Sequence, residues 1–190
     1  YKVFPYDEDR RRGHLRHVLV RTTVDNKALV TLISAVADFP ERKKFMGELK
    51  KTHPEIETII TNVNTRHSSA VLGDKELIGY GEGYIEDVLC GLKFRLSPRS
   101  FLQINPVQAE KLYDKAIEYA ELTGNETVID LYCGTGTITL CLARKAGRVI
   151  GAEIVDAAYA LTGSNTLDNV TLTGKIITVN TPYDAGYKNI

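Results

Sequence analysis

The segment Val128-Ile129-Asp130-Leu131-Tyr132-Cys133-Gly134-Thr135-Gly136-Thr137-Ile138 constrains the fold more than any other stretch of this chain. A β-branched run over residues 127–132 meets two glycines, and a helical pattern follows over residues 137–146. A second β-rich run covers residues 148–154, with a further helix from about Asp156. Strand, tight glycine turn, helix and strand form a βαβ unit, whose natural consequence is a parallel, doubly wound α/β sheet. Gly134 and Gly136 let the backbone pass close to a ligand without a Cβ in the way. Glu153 follows about 20 residues on, where an acid usually meets the ribose hydroxyls of a bound nucleotide. Together these residues specify a cofactor that contains a nucleoside.

Two details favour S-adenosylmethionine over a dinucleotide. The third small residue of the dinucleotide fingerprint is replaced by Thr139, so the close helix–strand packing of that motif is not signalled. Asp130, just ahead of the turn, is awkward beside a pyrophosphate but harmless near a cationic sulfonium. The bland reading is a glycine turn in a doubly wound fold that holds no ligand.

Composition sets the outer limits. With 190 residues, 43% hydrophobic and 25% charged, the chain reads as soluble and globular, about one to one and a half domains long. No apolar run approaches the roughly 18 residues of a membrane span. The start Tyr1-Lys2-Val3-Phe4-Pro5 has neither Met nor an apolar signal core, which suggests a piece of something longer. Three cysteines without a CxxC indicate neither a disulfide framework nor a zinc site, and a reducing, cytoplasmic setting fits. Net charge is zero, but residues 1–104 carry 17 Lys and Arg against 14 Asp and Glu, while residues 105–190 carry 7 against 10. A strongly basic nucleic-acid binder is excluded; a modest basic face is not.

The first half reads as β-rich, with strands over 15–24 and 28–36 around an Asp25-Asn26-Lys27 turn. An amphipathic helix spans 40–53, and a β-branched strand covers 56–63. Segments 70–72 and 76–80 flank Gly73-Asp74 as a hairpin, and 88–96 supplies a strand pair broken at Gly91. The pattern then changes. Asn105-Pro106-Val107-Gln108 is a helix start, with Asn as cap and Pro at the first helical position. Leu112, Ala116, Tyr119 and Ala120 follow at helical spacing, and Gly124 lies past the end. The boundary falls near residues 97–105. It separates a smaller α+β domain (1–100) from the cofactor-binding domain (101–190).

Three groups of residues, Ser100-Phe101-Leu102-Gln103-Ile104-Asn105-Pro106, the turn from Asp130 to Thr137, and Gly151-Ala152-Glu153-Ile154, resemble the bacterial RNA uracil-5-methyltransferase family. Upstream, Gly13-His14-Leu15-Arg16-His17-Val18-Leu19-Val20-Arg21, Asn62-Val63-Asn64 and Leu77-Ile78-Gly79-Tyr80-Gly81 look like that family's central domain. The match is collinear from about residue 6 to about Asp156. It looks most like the branch that methylates uridines of 23S ribosomal RNA.

The resemblance implies an incomplete Rossmann-like methyltransferase fold behind a central α+β domain. It also implies that Gln103 contacts S-adenosylmethionine from outside the sheet and that Tyr132 lines the cofactor pocket. Gly134 and Gly136 form the turn, and Glu153 holds the ribose. In the family a cysteine attacks carbon 6 of a flipped-out uracil, carbon 5 accepts the methyl group, and a base removes the carbon 5 proton. No Asp-Pro-Pro-Arg-x-Gly-Cys-like loop is present here, so the expectation is no catalytic residue in this chain and no activity for it alone. Cys90, Cys133 and Cys141 do not match the nucleophile. The tail Tyr159-Ala160-Leu161-Thr162-Gly163-Ser164-Asn165-Thr166 also departs from the family pattern.

Arg10, Arg11, Arg12, Arg16 and Arg21 are candidates to grip RNA phosphates, against the plain reading of a solvated basic face. His14 and His17 have the wrong spacing for two metal ligands on one strand face. Tyr80, Tyr84 and Phe101 are candidates to stack on bases, against core or hinge packing. The rival to a methyltransferase is a non-catalytic RNA- or protein-binding module with a vestigial cofactor cleft. A nicotinamide-dependent enzyme is a weaker rival.

Overall fold

A computed structural model describes residues 2–152, together with the backbone of Val170–Thr173 and Ile176–Asn180. The chain divides into two compact units, residues 1–85 and 86–190.

The first unit is a four-stranded sheet in the order β1-β2-β3-β4, formed by β1 (Leu15–Thr22), β2 (Ala28–Ser34), β3 (Ile56–Val63) and β4 (Lys75–Tyr80). The β1–β2 pair is antiparallel, with Asn26 in the left-handed region at the turn. Helix α1 (Arg42–Thr52) is the crossover that makes β2 and β3 parallel. Every residue of β2 is buried, which explains its uninterrupted Ala-Leu-Val-Thr-Leu-Ile run. On one face Val30, Leu32 and Ile59 pack with Met46 of α1 and with Phe39.

Segment 70–72 forms no strand, so the hairpin expected around Gly73-Asp74 is corrected. β4 pairs antiparallel with β3 instead. Buried Asn62 takes over the turn: its Oδ1 accepts from Gly73 N–H at 2.7 Å, and its Nδ2 donates to the Gly73 carbonyl and Glu76 Oε1, each at 3.1 Å. Asn64 Nδ2 donates to the carbonyls of Ala70 and Val71 at 2.7 and 2.9 Å. These two amides replace the ladder that a hairpin would have supplied.

β5 (Ile85–Leu89) and β6 (Leu92–Leu96) pair across the Cys90-Gly91 turn, as the sequence anticipates. Cys90 N–H donates to Glu110 Oε1 at 2.7 Å, so the hairpin tip is bonded to the helix that follows. That helix is α2 (Pro106–Tyr119), capped by Asn105, whose side chain accepts from Gln108 N–H at 3.1 Å. Its buried residues are Ala109 and Tyr113, while Leu112 and Tyr119 are exposed. Of the apolar residues at helical spacing, Leu112 and Tyr119 are therefore on the outer side and Ala116 on the half-buried side, while the aromatic ring and small side chain at 113 and 109 pack inward.

The second sheet runs β7 (Thr127–Asp130), β8 (Arg148–Ala152), β10 (Ile176–Asn180), β9 (Val170–Thr173). β7 and β8 are parallel across α3 (Thr137–Leu142), which is the βαβ unit read from the sequence. β10 is antiparallel to both β8 and β9, so the described sheet is mixed rather than parallel throughout. Two residues link β9 to β10, too few for a parallel crossover. Glu153 and the helix expected from Asp156 lie outside the described residues.

Immediately ahead of β7, the Glu126 carboxylate accepts from the Thr123 hydroxyl at 2.5 Å and from the N–H groups of Thr123, Gly124 and Asn125. The Thr123 hydroxyl, then its N–H, hold the Glu126 pKa down to about 2 from 4.5. A depressed carboxylate stabilises the fold fully above its unfolded value, and the contribution fades as pH falls through about 2. We expect a carboxyl-carbon NMR titration to place Glu126 well below the other glutamates, and Glu126→Gln to abolish that low-pH transition.

Candidate functional site

The cofactor turn is built from contacts inside the second unit. β7 ends at Asp130, two residues before the sequence suggests, because the Asp130 carboxylate turns the chain. Its Oδ1 accepts from Tyr132 N–H at 3.3 Å, and its Oδ2 accepts from Thr139 Oγ1 at 2.6 Å. Thr139 is fully buried, so its hydroxyl has a charged partner in place of water. The residue that breaks the dinucleotide fingerprint is thus the one that clamps helix α3 to the end of β7.

Gly134 and Gly136 both have positive φ, 54° and 78°, and Gly136 N–H donates to the Cys133 carbonyl at 2.7 Å. Such a turn favours glycine. A Cβ placed on Gly134 would meet nothing within 4 Å, so the outer side of the turn is open space. Cys133 N–H donates to the Ala152 carbonyl at 3.0 Å, which fastens the turn to the end of β8, next in sequence to Glu153. Tyr132 is 91% exposed, its ring presented outward beside the glycines.

Two further threonines complete the arrangement, and sequence reading did not single them out. Thr135 Oγ1 donates to the Phe101 carbonyl at 3.1 Å, bringing the 100–105 segment against the turn with half-buried Gln103 on it. Thr137 Oγ1 and Tyr113 Oη share a hydrogen bond of 2.9 Å, which joins α3 to α2. The alternating Gly-Thr-Gly-Thr was the available signal. Asp130, Tyr132, Gly134, Gly136 and Gln103 therefore belong to one neighbourhood, while Glu153 lies beyond the described residues.

The cysteines are poorly placed for nucleophilic work. Cys133 and Cys141 are buried and Cys90 is partly so. Burial pushes the Cys141 and Cys90 thiols up, and the thiolate is the reactive form.

In the first unit, the arginines separate into two kinds. Arg10, Arg11 and Arg12 are exposed on a turn closed by reciprocal Asp7 and Arg12 backbone bonds of 2.7 and 3.3 Å. Arg16 is a correction: its side chain is only 5% exposed. Its guanidinium donates to Glu8 Oε1 at 2.7 Å and to the carbonyls of Asn64 and Arg66 at 3.0 and 2.7 Å, and it lies over the Tyr6 ring. It fastens the N-terminal turn to the loop after β3, with four of its five N–H groups engaged there. Arg21 is half-buried, and burial lowers its pKa. We expect Arg16→Ala to cost about 2–3 kcal/mol by denaturant unfolding, as loss of a buried charged hydrogen-bonding group does. Arg11→Ala, on the exposed turn, should stay within about 0.5 kcal/mol.

The family model of the tRNA (uracil-5-)-methyltransferases matches residues 6–180. The chain belongs to that family. Relatives of this uracil-5-methyltransferase family member include an uncharacterised RNA methyltransferase of Bacillus cereus, 45% identical over 171 residues. Another, from Clostridium tetani, is 38% identical over 170 residues. Each match takes in 89% of this chain and 37% of the relative, so the chain spans little more than a third of their length. The tRNA (uracil-54, C5)-methyltransferase of Pyrococcus abyssi, solved with S-adenosyl-L-homocysteine, superposes with a TM-score of 0.65 at 24% identity. That superposition covers 80% of this chain and 36% of the archaeal one. It shows that this family member has a Rossmann-like methyltransferase fold, present in part.

Proposed function

We propose that the protein methylates carbon 5 of uridine in RNA, with 23S ribosomal RNA as substrate, and that this chain carries its cofactor half-site. The observation that carries this reading is the open turn at Gly134, braced by Asp130 and flanked by the exposed ring of Tyr132. S-adenosylmethionine, when bound, supplies the methyl group. Gly134 and Gly136 would let it approach the backbone, Tyr132 would cover its adenine, Gln103 would reach it from the side, and Glu153 would take the ribose hydroxyls. Asp130 acts mainly through the turn, with each of its oxygens accepting one hydrogen bond, from Thr139 and from Tyr132.

Residues 1–100 would contact RNA through the exposed turn of Arg10, Arg11 and Arg12, while residues 101–190 hold the cofactor. This chain by itself transfers no methyl group, since its three thiols are buried or hold their protons tightly. The reaction belongs in the cytoplasm, where ribosomal RNA is modified. Among the described residues, no helix is long and apolar enough to cross a membrane.

Nucleoside mass spectrometry of RNA from a deletion strain tests the reading. 5-Methyluridine should disappear from 23S ribosomal RNA and return with the wild-type gene but not with Glu153→Ala. Loss confined to transfer RNA would overturn the ribosomal assignment; no loss anywhere would overturn the activity.

A further inference from the structure

A groove of about 390 Å³ lies within the first unit, between α1 and β4, far in sequence from the cofactor turn. Its rim carries Arg42, Lys43 and Lys50, with Arg42 paired to Asp38 at 2.9 Å just outside the lining residues. Its other wall is the exposed pair Ile78 and Tyr80, on a strand that pairs only with β3 among the described residues. Lys50 Nζ donates to the carbonyls of Pro54 and Ile56, both at 2.7 Å, and lies 5.3 Å from the Tyr80 ring centroid. A lysine pinned in this way orders the aromatic ring beside it.

Gly47 is the telling residue. It sits in the middle of α1, where glycine is the poorest helix former after proline. No packing demands it, because an added Cβ would meet nothing within 4 Å. Its effect is to leave the groove open. Gly79 faces it from β4, where a Cβ would meet Met46 Sδ at 2.5 Å. Packing against Met46 accounts for Gly79, so it is Gly47 that leaves this cationic, aromatic-walled channel clear, at a cost in helix propensity.

We propose that this groove binds a single-stranded segment of RNA, with a base stacked on Tyr80 and a phosphate held by Lys43. The proposal rests on the RNA-modifying reading above and adds a second contact surface to it. A flat aromatic wall beside cations is the arrangement that takes bases and backbone together without reading sequence. An acidic peptide would satisfy the cations but leave the ring and Ile78 unused.

The test uses the intact protein and a 12-nucleotide oligouridylate containing 4-thiouridine. Irradiation should crosslink the peptide that contains Tyr80. Tyr80→Ala should weaken binding about tenfold, the expected loss of one stacked base. Lys43→Gln should flatten the salt dependence by about 0.7 in the logarithmic slope, one single-strand phosphate contact. Gly47→Gln fills the groove; it should weaken binding while leaving the melting temperature unchanged or raised. Unchanged oligonucleotide affinity in all three variants, with the crosslink elsewhere, would overturn the groove and leave the methyltransferase reading intact. Wild-type protein that binds S-adenosylhomocysteine but no RNA at all would overturn both. Capture of a polyglutamate peptide in place of the oligonucleotide would reassign the groove to an acidic protein partner.

Discussion

Asp130→Ala is expected to weaken S-adenosylhomocysteine binding to the intact protein about 100-fold by calorimetry. The carboxylate accepts from a buried hydroxyl at 2.6 Å and from the Tyr132 amide at 3.3 Å. Bonds to a charged group contribute about 1.5–3 kcal/mol each, and losing both frees the turn that must stay in place for the ligand. A hundredfold is about 2.7 kcal/mol, so about one such bond's worth of the loss is felt by the ligand. Asp130→Asn keeps an acceptor and the side-chain shape, and should fall between wild type and alanine. Tyr132→Ala supplies the contrast. Its ring is 91% exposed, so it should lower affinity with no change in melting temperature. Equal affinity for Asp130→Ala and wild type would refute the bracing role.

The second large effect is on stability. Asn62→Leu should lower the stability of the first unit by about 3 kcal/mol, because the Gly73 N–H and carbonyl lose their buried partner. For a unit of this size that is a fall of about 15 °C in melting temperature. Gly73→Ala should be at least as damaging, since its Cβ would stand 1.9 Å from the Val63 carbonyl oxygen. Differential scanning calorimetry of both variants decides it; a fall of a few degrees or less would show that the loop reorganises without cost.

What could be read from the sequence was what local chemistry dictates. The turn at Gly134 and Gly136, the Asn105 cap and the Cys90-Gly91 hairpin each involve neighbours a few residues apart, so composition and spacing suffice. Arg16 misled because its partners are the carbonyls of Asn64 and Arg66, 48 and 50 residues away, and nothing near Arg16 announces them. The Gly73 hairpin misled for a related reason. A glycine beside an aspartate signals a turn, but Asn62 supplies the hydrogen bonds that strand 70–72 was expected to make. On α2 the apolar spacing runs through Leu112 and Tyr119, which are exposed, and Tyr113, a residue with a polar tip, is the one that packs inward against Thr137.

The two asparagine amides on either side of Val63 have a consequence for how this protein can change. They hold the loop by its backbone, at Ala70, Val71 and Gly73, and leave Thr65, His67, Ser68 and Ser69 exposed. Side chains in that stretch can be exchanged without disturbing either anchor or the strand beneath. The loop is therefore a place where surface chemistry can drift or be selected while the scaffold stays fixed. Variation between relatives should concentrate there, and the asparagines should be the positions that do not move.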